Sequence, residues 1–329
     1  MLATFINIVS PAKLTSIQNI RQGFQFNMSQ KLSNLLHGHV YVGVVDENTS
    51  LVQYKTQLHV VSHKILIREF FYQQVLLNIG ALYSIELGTP IPVVDLIRAS
   101  GCDEKDVVPW SNVLTMDSTR RAMLLDYFSI EINEDGCLVS LPDLLPGYFP
   151  MRVALPILIV ELSTHVDWKE EEQCFVGAAR ALGLAFGMLP RSAARTAKIE
   201  KKKEKEKKEQ DVARDAGVDD GGGNGGDRSG EAGSPEQGLQ RDGGSESVAI
   251  SSSTATTSTT TTTTTTSVST PTDAVDDDHF RRLRDVLQHS LFPAFKQGAP
   301  FFPPTDFLED RAVVQVAALE NLYKVFERC

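Results

Sequence analysis

The chain has 329 residues and a formal net charge of -10, so its surface as a whole is not suited to coating a polyanionic nucleic acid. Four cysteines occur without a C-x-x-C pair, which gives no support to a zinc knuckle or a disulfide framework and indicates a reduced intracellular compartment. The longest apolar run, Val153 to Val160, is too short to span a bilayer, and the first residues lack the basic and apolar regions of a secretory signal.

The first predicted elements are a helix, a strand meander and a second helix. Apolar residues at helical spacing followed by a terminal glycine predict a helix from Ser29 to Gly38. Alternating apolar residues separated by turn residues then predict three strands, which are Val40–Val44, Ser50–Tyr54 and Gln57–Val61. From Lys64 to Asn78 the apolar period changes to that of a helix.

A less regular stretch precedes the next helix and hairpin. Three prolines punctuate that stretch: Pro90, Pro92 and Pro109. Asp117 is the predicted N-cap of a helix that reaches Phe128. A hairpin follows, with strands Ser129–Ile132 and Cys137–Leu141 around a turn that ends in glycine.

Two apolar segments come after the hairpin. Leu155–Val160 is apolar at every position, which is typical of a central strand buried on both faces, and we predict a strand there. Asp167, with Glu170 three residues later, resembles a capping box and predicts the start of a long helix that reaches Phe186.

A low-complexity segment separates these elements from the C-terminal part. Residues 195–278 contain a Lys/Glu run, Gly/Asp/Ser-rich sequence and a threonine tract, so we expect a disordered insert that cannot offset its ordering entropy. Order is predicted to return with a basic amphipathic helix, Phe280–Phe295, and a strand, Arg311–Ala317. The final segment, Asn321–Cys329, carries apolar and aromatic residues at helical spacing and is predicted to dock rather than fray.

Common short motifs of nucleotide and metal chemistry do not occur outside the insert. Outside residues 195–278 the sequence has no Walker motif, no G-x-G-x-x-G and no H-E-x-x-H. His37 and His39 flank Gly38, but a metal site needs three or four convergent ligands, so we interpret both as structural. His63 and His165 are interpreted as polar caps or surface residues.

Together these segments resemble a known family. The resemblance is carried by AKLTSI, HVYVGVVDENTSLVQYKTQL, LLDYFSIEINEDGCLVSLPDLLPGY, LPILIVELSTHVDW, FPPTDF and ENLYKVFERC, which begin at Ala12, His39, Leu124, Leu155, Phe302 and Glu320. The chain resembles the C-terminal dimerisation domain of the eukaryotic MutL proteins of DNA mismatch repair, and in particular their common subunit. The stretches follow the family's order, and KVFERC is close to a signature.

Two features depart from that family. Full-length members carry an N-terminal GHKL-type ATPase, and none of its motifs is present here, so we expect a fragment, a truncated gene model or a protein that has lost the ATPase. The insert at 195–278 lies where relatives have a shorter connection. We interpret it as a lineage-specific expansion of a surface loop, which costs little closure entropy.

The resemblance also bears on catalysis. Endonuclease-bearing members carry D-Q-H-A-x-x-E-x-x-x-x-E, whose acidic and histidine side chains bind metal ions that activate water. In register after the third predicted strand, this pattern falls on Ser62, His63, Lys64, Ile65, Arg68 and Gln73. Every carboxylate is missing, and Lys64 and Arg68 would repel a cation. The resemblance therefore implies that this subunit is not an enzyme.

A role for the C-terminus is implied by the same resemblance. In the family, the terminal cysteine of the common subunit reaches the metal site of its dimer partner, and Cys329 matches that position. Cys329 would then be a ligand in trans for a zinc ion shared with the partner, and the chain would hold no cofactor of its own. The interface residues expected beside it are Leu322, Tyr323, Phe326, Glu327 and Arg328.

The implied fold is α/β, with a mixed or antiparallel sheet flanked by helices and an inserted external subdomain. Residues 1–81, 149–194 and 279–329 are predicted to form the dimerisation subdomain. Residues 82–148 are predicted to form the external subdomain, and 195–278 the insert.

The predicted function is that of a non-catalytic scaffold in nuclear DNA mismatch repair, which pairs with an endonuclease-bearing MutL paralogue. Its further partners would be a MutS-type complex and exonuclease peptides, with DNA contacted only indirectly and no membrane involved. Two alternatives stay open. One is a homodimeric adaptor that docks peptides of repair proteins, and the other is an independent metal nuclease.

Overall fold

The structure is a computed structural model that describes residues 14–190, 271–297 and 300–318. The described residues up to 190 and those from 272 to 318 belong to one compact unit. Most of the predicted insert and all of Asn321–Cys329 lie outside the described residues. No helix in the described part of the chain is long and apolar enough to cross a membrane.

Helices and strands alternate along the chain. The helices are α1 Thr15–Phe26, α2 Gln30–Gly38, α3 His63–Leu77, α4 Val93–Ala99, α5 Glu104–Thr115, α6 Ser118–Phe128, α7 Leu155–Thr164, α8 Glu171–Phe186, α9 Pro271–Val286, α10 Phe292–Gln297 and α11 Asp306–Glu309. The strands are β1 Val40–Val44, β2 Ser50–Tyr54, β3 Gln57–Val61, β4 Tyr83–Pro92, β5 Glu131–Ile132, β6 Cys137–Asp143 and β7 Val313–Ala318. A π-helical segment, Leu287–Leu291, joins α9 to α10.

The first sheet has four antiparallel strands in the order β1-β2-β3-β7. The predicted strands from Val40 to Val61 are confirmed with their bounds, because the alternating apolar residues and the intervening turns fix the register. The predicted strand at Arg311–Ala317 is confirmed as β7, which pairs with β3 at the edge. One face of the sheet is buried through Val52, Val61 and other residues that point towards the helices.

Helix α3 lies against α8 at very short range, and its predicted extent is confirmed within one residue. A Cβ atom on Gly183 would lie 2.9 Å from the backbone oxygen of Arg68. A Cβ atom on Gly187 would lie 2.5 Å from the Cγ of the same residue. Glycine at both positions therefore sets the separation of the two helices.

Two adjacent phenylalanines of α3 form the centre of the core. The ring of Phe70 contacts Phe295 and Phe301, with centroids 5.4 and 5.8 Å apart. The ring of Phe71 contacts Tyr148 and Phe186 on the other side, at 5.2 and 5.4 Å. All of these rings except Tyr148 expose no more than about a twentieth of their area. Through these buried ring contacts, α3 joins the C-terminal elements to α8.

The second sheet and its helices occupy residues 83–143, with strand order β4-β6-β5. The stretch predicted to be less regular instead forms β4, α4 and α5. Pro90 falls where the β4–β6 register is irregular and Pro92 at the end of β4, whereas Pro109 lies inside α5, which forms despite it. The predicted cap is confirmed, since Asp117 accepts hydrogen bonds from the backbone amides of Thr119 and Arg120. The hairpin is confirmed as well, with Gly136 at φ 71°.

The predicted central strand at Leu155–Val160 is wrong, because this segment forms helix α7. Pro156 stands in the first turn, where its fixed φ favours a helix and its missing amide hydrogen costs nothing. The segment is apolar throughout because α7 is packed among α4, α5 and α8. A helix buried on several sides has the same composition as a buried strand.

Two predicted helix starts also need correction. Helix α8 begins at Glu171 rather than after Asp167, whose carboxylate instead accepts a hydrogen bond from the Lys169 amide in a local turn. The helix predicted from Phe280 begins at Pro271. The C-terminal half of the predicted helix contains the π-helical segment. The apolar side chains before and after this segment, Leu283 and Phe292, both face the core.

Helix α1 connects the ends of α3 and α8. The guanidinium of Arg21 donates hydrogen bonds to the carbonyls of Leu76 and Leu77, the last residues of α3. The hydroxyl of Ser16 donates to the carboxylate of Glu171, the first residue of α8. The two Arg21 bonds satisfy carbonyls that a helix end leaves without partners.

Four histidines are buried in the described part of the chain, and His39 and His63 are the least exposed of them. His63 packs beneath the β1–β2 turn, and His39 packs against the ring of Phe292 with centroids 5.2 Å apart. Burial lowers the pKa of each imidazole to about 4, although hydrogen bonds to the carbonyls of Leu36 and Glu47 act in the opposite direction. Both rings are therefore neutral in the folded protein at neutral pH.

These two histidines predict acid sensitivity. Below pH 6.5 the two histidines take up protons in the unfolded chain but not in the folded chain, so the free energy of unfolding falls as the pH drops towards 4. Above pH 6.5 these histidines do not affect the stability. His63→Asn should flatten the slope of unfolding free energy against pH in that window by up to about 1.4 kcal/mol per pH unit. Urea denaturation across the pH series measures the slope. His165→Asn, on an exposed side chain, is the control, and equal slopes for all three proteins would contradict the assignment.

Candidate functional site

The positions that match the endonuclease pattern lie on the first turns of α3. Ser62 is the N-cap, but its side chain makes no capping hydrogen bond. The Nδ1 of His63 lies 2.8 Å from the hydroxyl of Ser50, and its Nε2 lies 3.1 Å from the carbonyl of Glu47. The interpretation of His63 as a surface residue is wrong, because its ring is buried and binds the β1–β2 turn. It is inaccessible to a metal or a substrate.

Gln73 stands at the last position of the pattern and is fully engaged inside the protein. Its amide nitrogen donates to the Glu69 carboxylate at 2.8 Å and to the carbonyl of Phe302 at 2.9 Å. Its amide oxygen accepts a hydrogen bond from the Phe302 amide at 2.9 Å. Burial raises the pKa of Glu69, with the Gln73 hydrogen bond acting against it. The residue at the last position of the pattern, Gln73, therefore makes contacts inside the protein.

A cleft of about 460 Å³ opens beside this part of α3. Arg68 and Arg180 supply two cations, and Glu69 and Glu161 supply two carboxylates. Burial raises the pKa of Tyr72 in its wall to about 12. The charges balance, so the cleft has no bias towards a cation. No three His, Cys, Asp or Glu side chains converge into a metal site anywhere in 14–190, 271–297 and 300–318.

The other histidines have local partners. The Nδ1 of His37 lies 2.8 Å from the carbonyl of Ser33, and that of His39 lies 2.6 Å from the carbonyl of Leu36. These bonds hold each ring against the last turn of α2. His165 is exposed beside Glu161, at 3.2 Å, so its interpretation as a surface residue is confirmed.

The outer face of the first sheet is apolar and uncovered by any described element. Val40 and Val42 of β1 are 58% and 52% exposed, and Val314 and Val316 of β7 are 40% and 54% exposed. Val42 and Val316 lie at the β-bulges of the two edge strands. Leu51, Leu58 and Val60 fill the centre of the same face and are half-buried. We call these seven residues the open face.

A second, smaller cleft of about 370 Å³ lies between α6 and the start of α8. Its apolar wall includes Met123, Tyr127, Trp168 and Phe175. Three carboxylates border it, on Asp117, Glu170 and Glu171, against the cations of Arg120 and Lys169. The guanidinium of Arg120 lies 4.8 Å from the centre of the Trp168 ring, and the Trp168 indole nitrogen is buried without a hydrogen-bond partner. We call this the tryptophan cleft.

Sequence reasoning missed both the open face and the tryptophan cleft. The signal for the open face is VYVGV at Val40–Val44, which is apolar on both sides of the strand although only one side meets the core. The cleft had no periodic signal, because its walls come from α6 and α8. The residues predicted at the interface, Leu322, Tyr323, Phe326, Glu327 and Arg328, and the predicted ligand Cys329 lie outside the described residues.

Comparisons with known proteins agree with the predicted resemblance. The family model described as DNA mismatch repair protein Mlh1 C-terminus matches residues 13–221 and 234–329. The DNA mismatch repair protein Mlh1 of Dictyostelium discoideum is 28% identical over 329 residues, which covers 96% of this chain and 30% of that protein. The DNA mismatch repair protein MLH1 of Saccharomyces cerevisiae is 26% identical over 332 residues, which covers 96% of this chain and 34% of that protein.

The chain thus spans about a third of the length of the curated relatives it matches. The family model covers both the described part of the chain and its last residues, through Cys329. The α/β fold with helices around an antiparallel sheet fits the fold that the resemblance implied. The chain therefore belongs to the family of the DNA mismatch repair protein Mlh1 C-terminus.

Proposed function

We propose that this chain acts in DNA mismatch repair in the nucleus as a non-catalytic scaffold, which dimerises with an endonuclease-bearing MutL paralogue through the open face. The observation that carries the proposal is the open face itself, an apolar surface that both edge strands and the two central strands of one sheet contribute. Apolar patches of this kind mark interaction sites. The family relationship supplies the mismatch-repair context.

The apolar composition of the surface suits a permanent partner. Each square ångström of apolar area removed from water contributes about 25 cal/mol, and permanent interfaces bury on the order of 2,000 Å² or more. Gln53 is paired across the sheet with Val40 and Leu58, and its side chain is polar. The residues paired beside it on the same face, Leu51 and Val60, are apolar. A second sheet of the same architecture could pack face to face on it.

The non-catalytic part of the proposal follows from α3. Lys64 and Arg68 replace groups that would hold a cation in the endonuclease pattern, and His63 and Gln73 are hydrogen-bonded inside the protein. Nothing at this position favours an independent metal nuclease. Contact with DNA would be indirect, in keeping with the net charge of -10, and a MutS-type complex would be a further partner.

Disruption of the open face should separate the partners. Val42→Asp and Val314→Asp each place an unpaired carboxylate in the apolar contact, which costs about 3 kcal/mol and raises the Kd for the paralogue at least about 100-fold. Isothermal titration calorimetry with the purified paralogue measures the Kd. Val108→Asp, an equally exposed valine on α5, is the control and should leave the Kd unchanged. An unchanged Kd for both open-face variants would refute this interface.

Cys329 is proposed to complete the partner's metal site. A thiolate is a soft ligand that suits zinc. In this proposal the paired assembly binds the zinc ion, and Cys329 is the ligand that this chain contributes. Glu327 and Arg328 would then lie at the interface with Leu322, Tyr323 and Phe326.

Removal of the terminal thiol tests that role. In the reconstituted heterodimer, Cys329→Ser should lower the zinc content measured by plasma mass spectrometry and reduce nicking of supercoiled DNA about tenfold or more, because weakened metal coordination typically has effects of this size. Cys137→Ser, a half-buried cysteine in β6, is the control. Full zinc occupancy together with full nicking would show that Cys329 has no such role.

The tryptophan cleft favours a second function, the docking of peptides from other repair proteins such as exonucleases. Its carboxylates suit basic side chains, and its aromatic wall suits an apolar anchor. Peptide docking is one part of the homodimeric-adaptor alternative, and this part is compatible with dimerisation through the open face.

Reversal of the charge at Glu170 distinguishes specific docking in the tryptophan cleft from non-specific electrostatic binding. A fluorescent hexapeptide with two Lys and two Phe residues should bind the unmodified chain, and Glu170→Lys should weaken binding about tenfold through like-charge repulsion. Fluorescence anisotropy measures the affinity. Glu134→Lys, in the β5–β6 turn, makes the same charge change away from the cleft and should have little effect. Equal losses for both variants would mean that binding depends only on net charge.

A further inference from the structure

The segment of residues 300–305, between α10 and α11, depends on hydrogen bonds from other segments of the chain to hold its backbone in place. Its sequence is Pro-Phe-Phe-Pro-Pro-Thr, so half of its residues lack an amide hydrogen and it cannot form a regular helix or an inner strand. The carbonyl of Pro303 accepts a hydrogen bond from the Ser29 amide at 2.8 Å, and the Thr305 amide donates to the carbonyl of Asn27 at 2.9 Å. One side of the segment is thereby bound to the loop before α2.

The other side is bound by two adjacent side chains of α3. Gln73 exchanges two hydrogen bonds with the backbone of Phe302, one as donor and one as acceptor, each 2.9 Å long. Gln74 donates to the carbonyl of Pro300 at 2.8 Å. Both glutamines are buried. Buried amides whose bonds are all made hold their partners firmly, since breaking one bond leaves an unsatisfied polar group.

The chemistry at position 73 accepts glutamine and rejects glutamate. A side chain that faces both the amide and the carbonyl of Phe302 must donate and accept at once, and a primary amide does this. A carboxylate only accepts, so it would face the Phe302 carbonyl and the Glu69 carboxylate without a proton between them. The last glutamate of the endonuclease pattern is therefore incompatible with this contact.

This contact lies directly upstream of strand β7. Only α11 and a short turn separate Thr305 from Val313, and the turn is fixed by hydrogen bonds from the Ala312 amide to Phe307 and from the Ser62 amide to Ala312. β7 pairs with β3 alone among the described strands. Its position therefore depends on that pairing and on where the preceding segment is held.

We infer that Gln73 is a positioning residue: with Gln74 it forms a latch on residues 300–305 that holds β7 in register and so completes the open face. The latch concerns this chain alone, and its consequence for partner binding rests on the proposed function. Loss of the latch frees one end of an edge strand while α3, α7 and α8 keep their mutual packing.

Hydrogen exchange of the full chain, read by mass spectrometry, tests the latch. Gln73→Met keeps the volume and removes all three hydrogen bonds, so the amides of β7 should exchange at least tenfold faster while those of α8 change less than twofold. Gln74→Met removes one bond, perturbs folding less and should speed β7 exchange about threefold. Gln18→Met, at an exposed glutamine of α1 outside the open face, is the control and should leave β7 exchange unchanged.

A pH series with Gln73→Glu separates the hydrogen-bond role from packing alone. A protonated carboxyl group donates one hydrogen bond and accepts another, which can replace both bonds with Phe302, and burial beside Glu69 raises the pKa of the introduced group. Protection of β7 relative to the unmodified protein at the same pH should therefore be lost at pH 8 and recover at pH 6. Absence of recovery would overturn the hydrogen-bond role of Gln73.

The latch is also overturned if Gln73→Met leaves β7 exchange unchanged, or if it speeds exchange in β7 and α8 equally, since the latter reports general destabilisation. Affinity for the paralogue is measured in parallel. Faster β7 exchange with unchanged affinity supports the latch and contradicts the proposed role of β7 in dimerisation. The two proposals can therefore fail independently.

Discussion

The close approach of α3 to α8 is the constraint on which the rest of the compact unit depends. Gly183 and Gly187 let the backbones meet, and the ring of Phe71 adds a side-chain contact to Phe186 of α8. Phe70 and the two glutamines of α3 contact the C-terminal elements instead. Few helices can be buried on so many sides without losing their amphipathic pattern, and α3 indeed shows only a weak one.

The parts of the fold that local chemistry determines could be predicted from the sequence. The meander Val40–Val61, the Asp117 cap and the Gly136 hairpin depend on residues a few positions apart, and all three were predicted. The helix α7 was not, because Leu155–Val160 is surrounded by other elements and loses any periodic signal. The start of α9 and its π-helical segment depend on packing against distant residues, which sequence spacing does not report.

The functional surfaces show the same division. A pattern of residue types located the endonuclease-like positions on α3, and the structure adds that two of them, His63 and Gln73, have internal partners. The open face was implicit in the alternation of β1 but needed β7, which is far away in sequence, to become a surface. The tryptophan cleft is built by α6 and α8, whose proximity no local pattern encodes.

The internal engagement of Gln73 also limits the paths by which such a chain could change. A change to the full endonuclease pattern would need new side chains at all six matched positions, which are Ser62, His63, Lys64, Ile65, Arg68 and Gln73. The single step Gln73 to glutamate would set a carboxylate against the Phe302 carbonyl and Glu69 before any metal could bind to compensate for it. This substitution is therefore unfavourable in isolation, because the protein's own packing around position 73 opposes it.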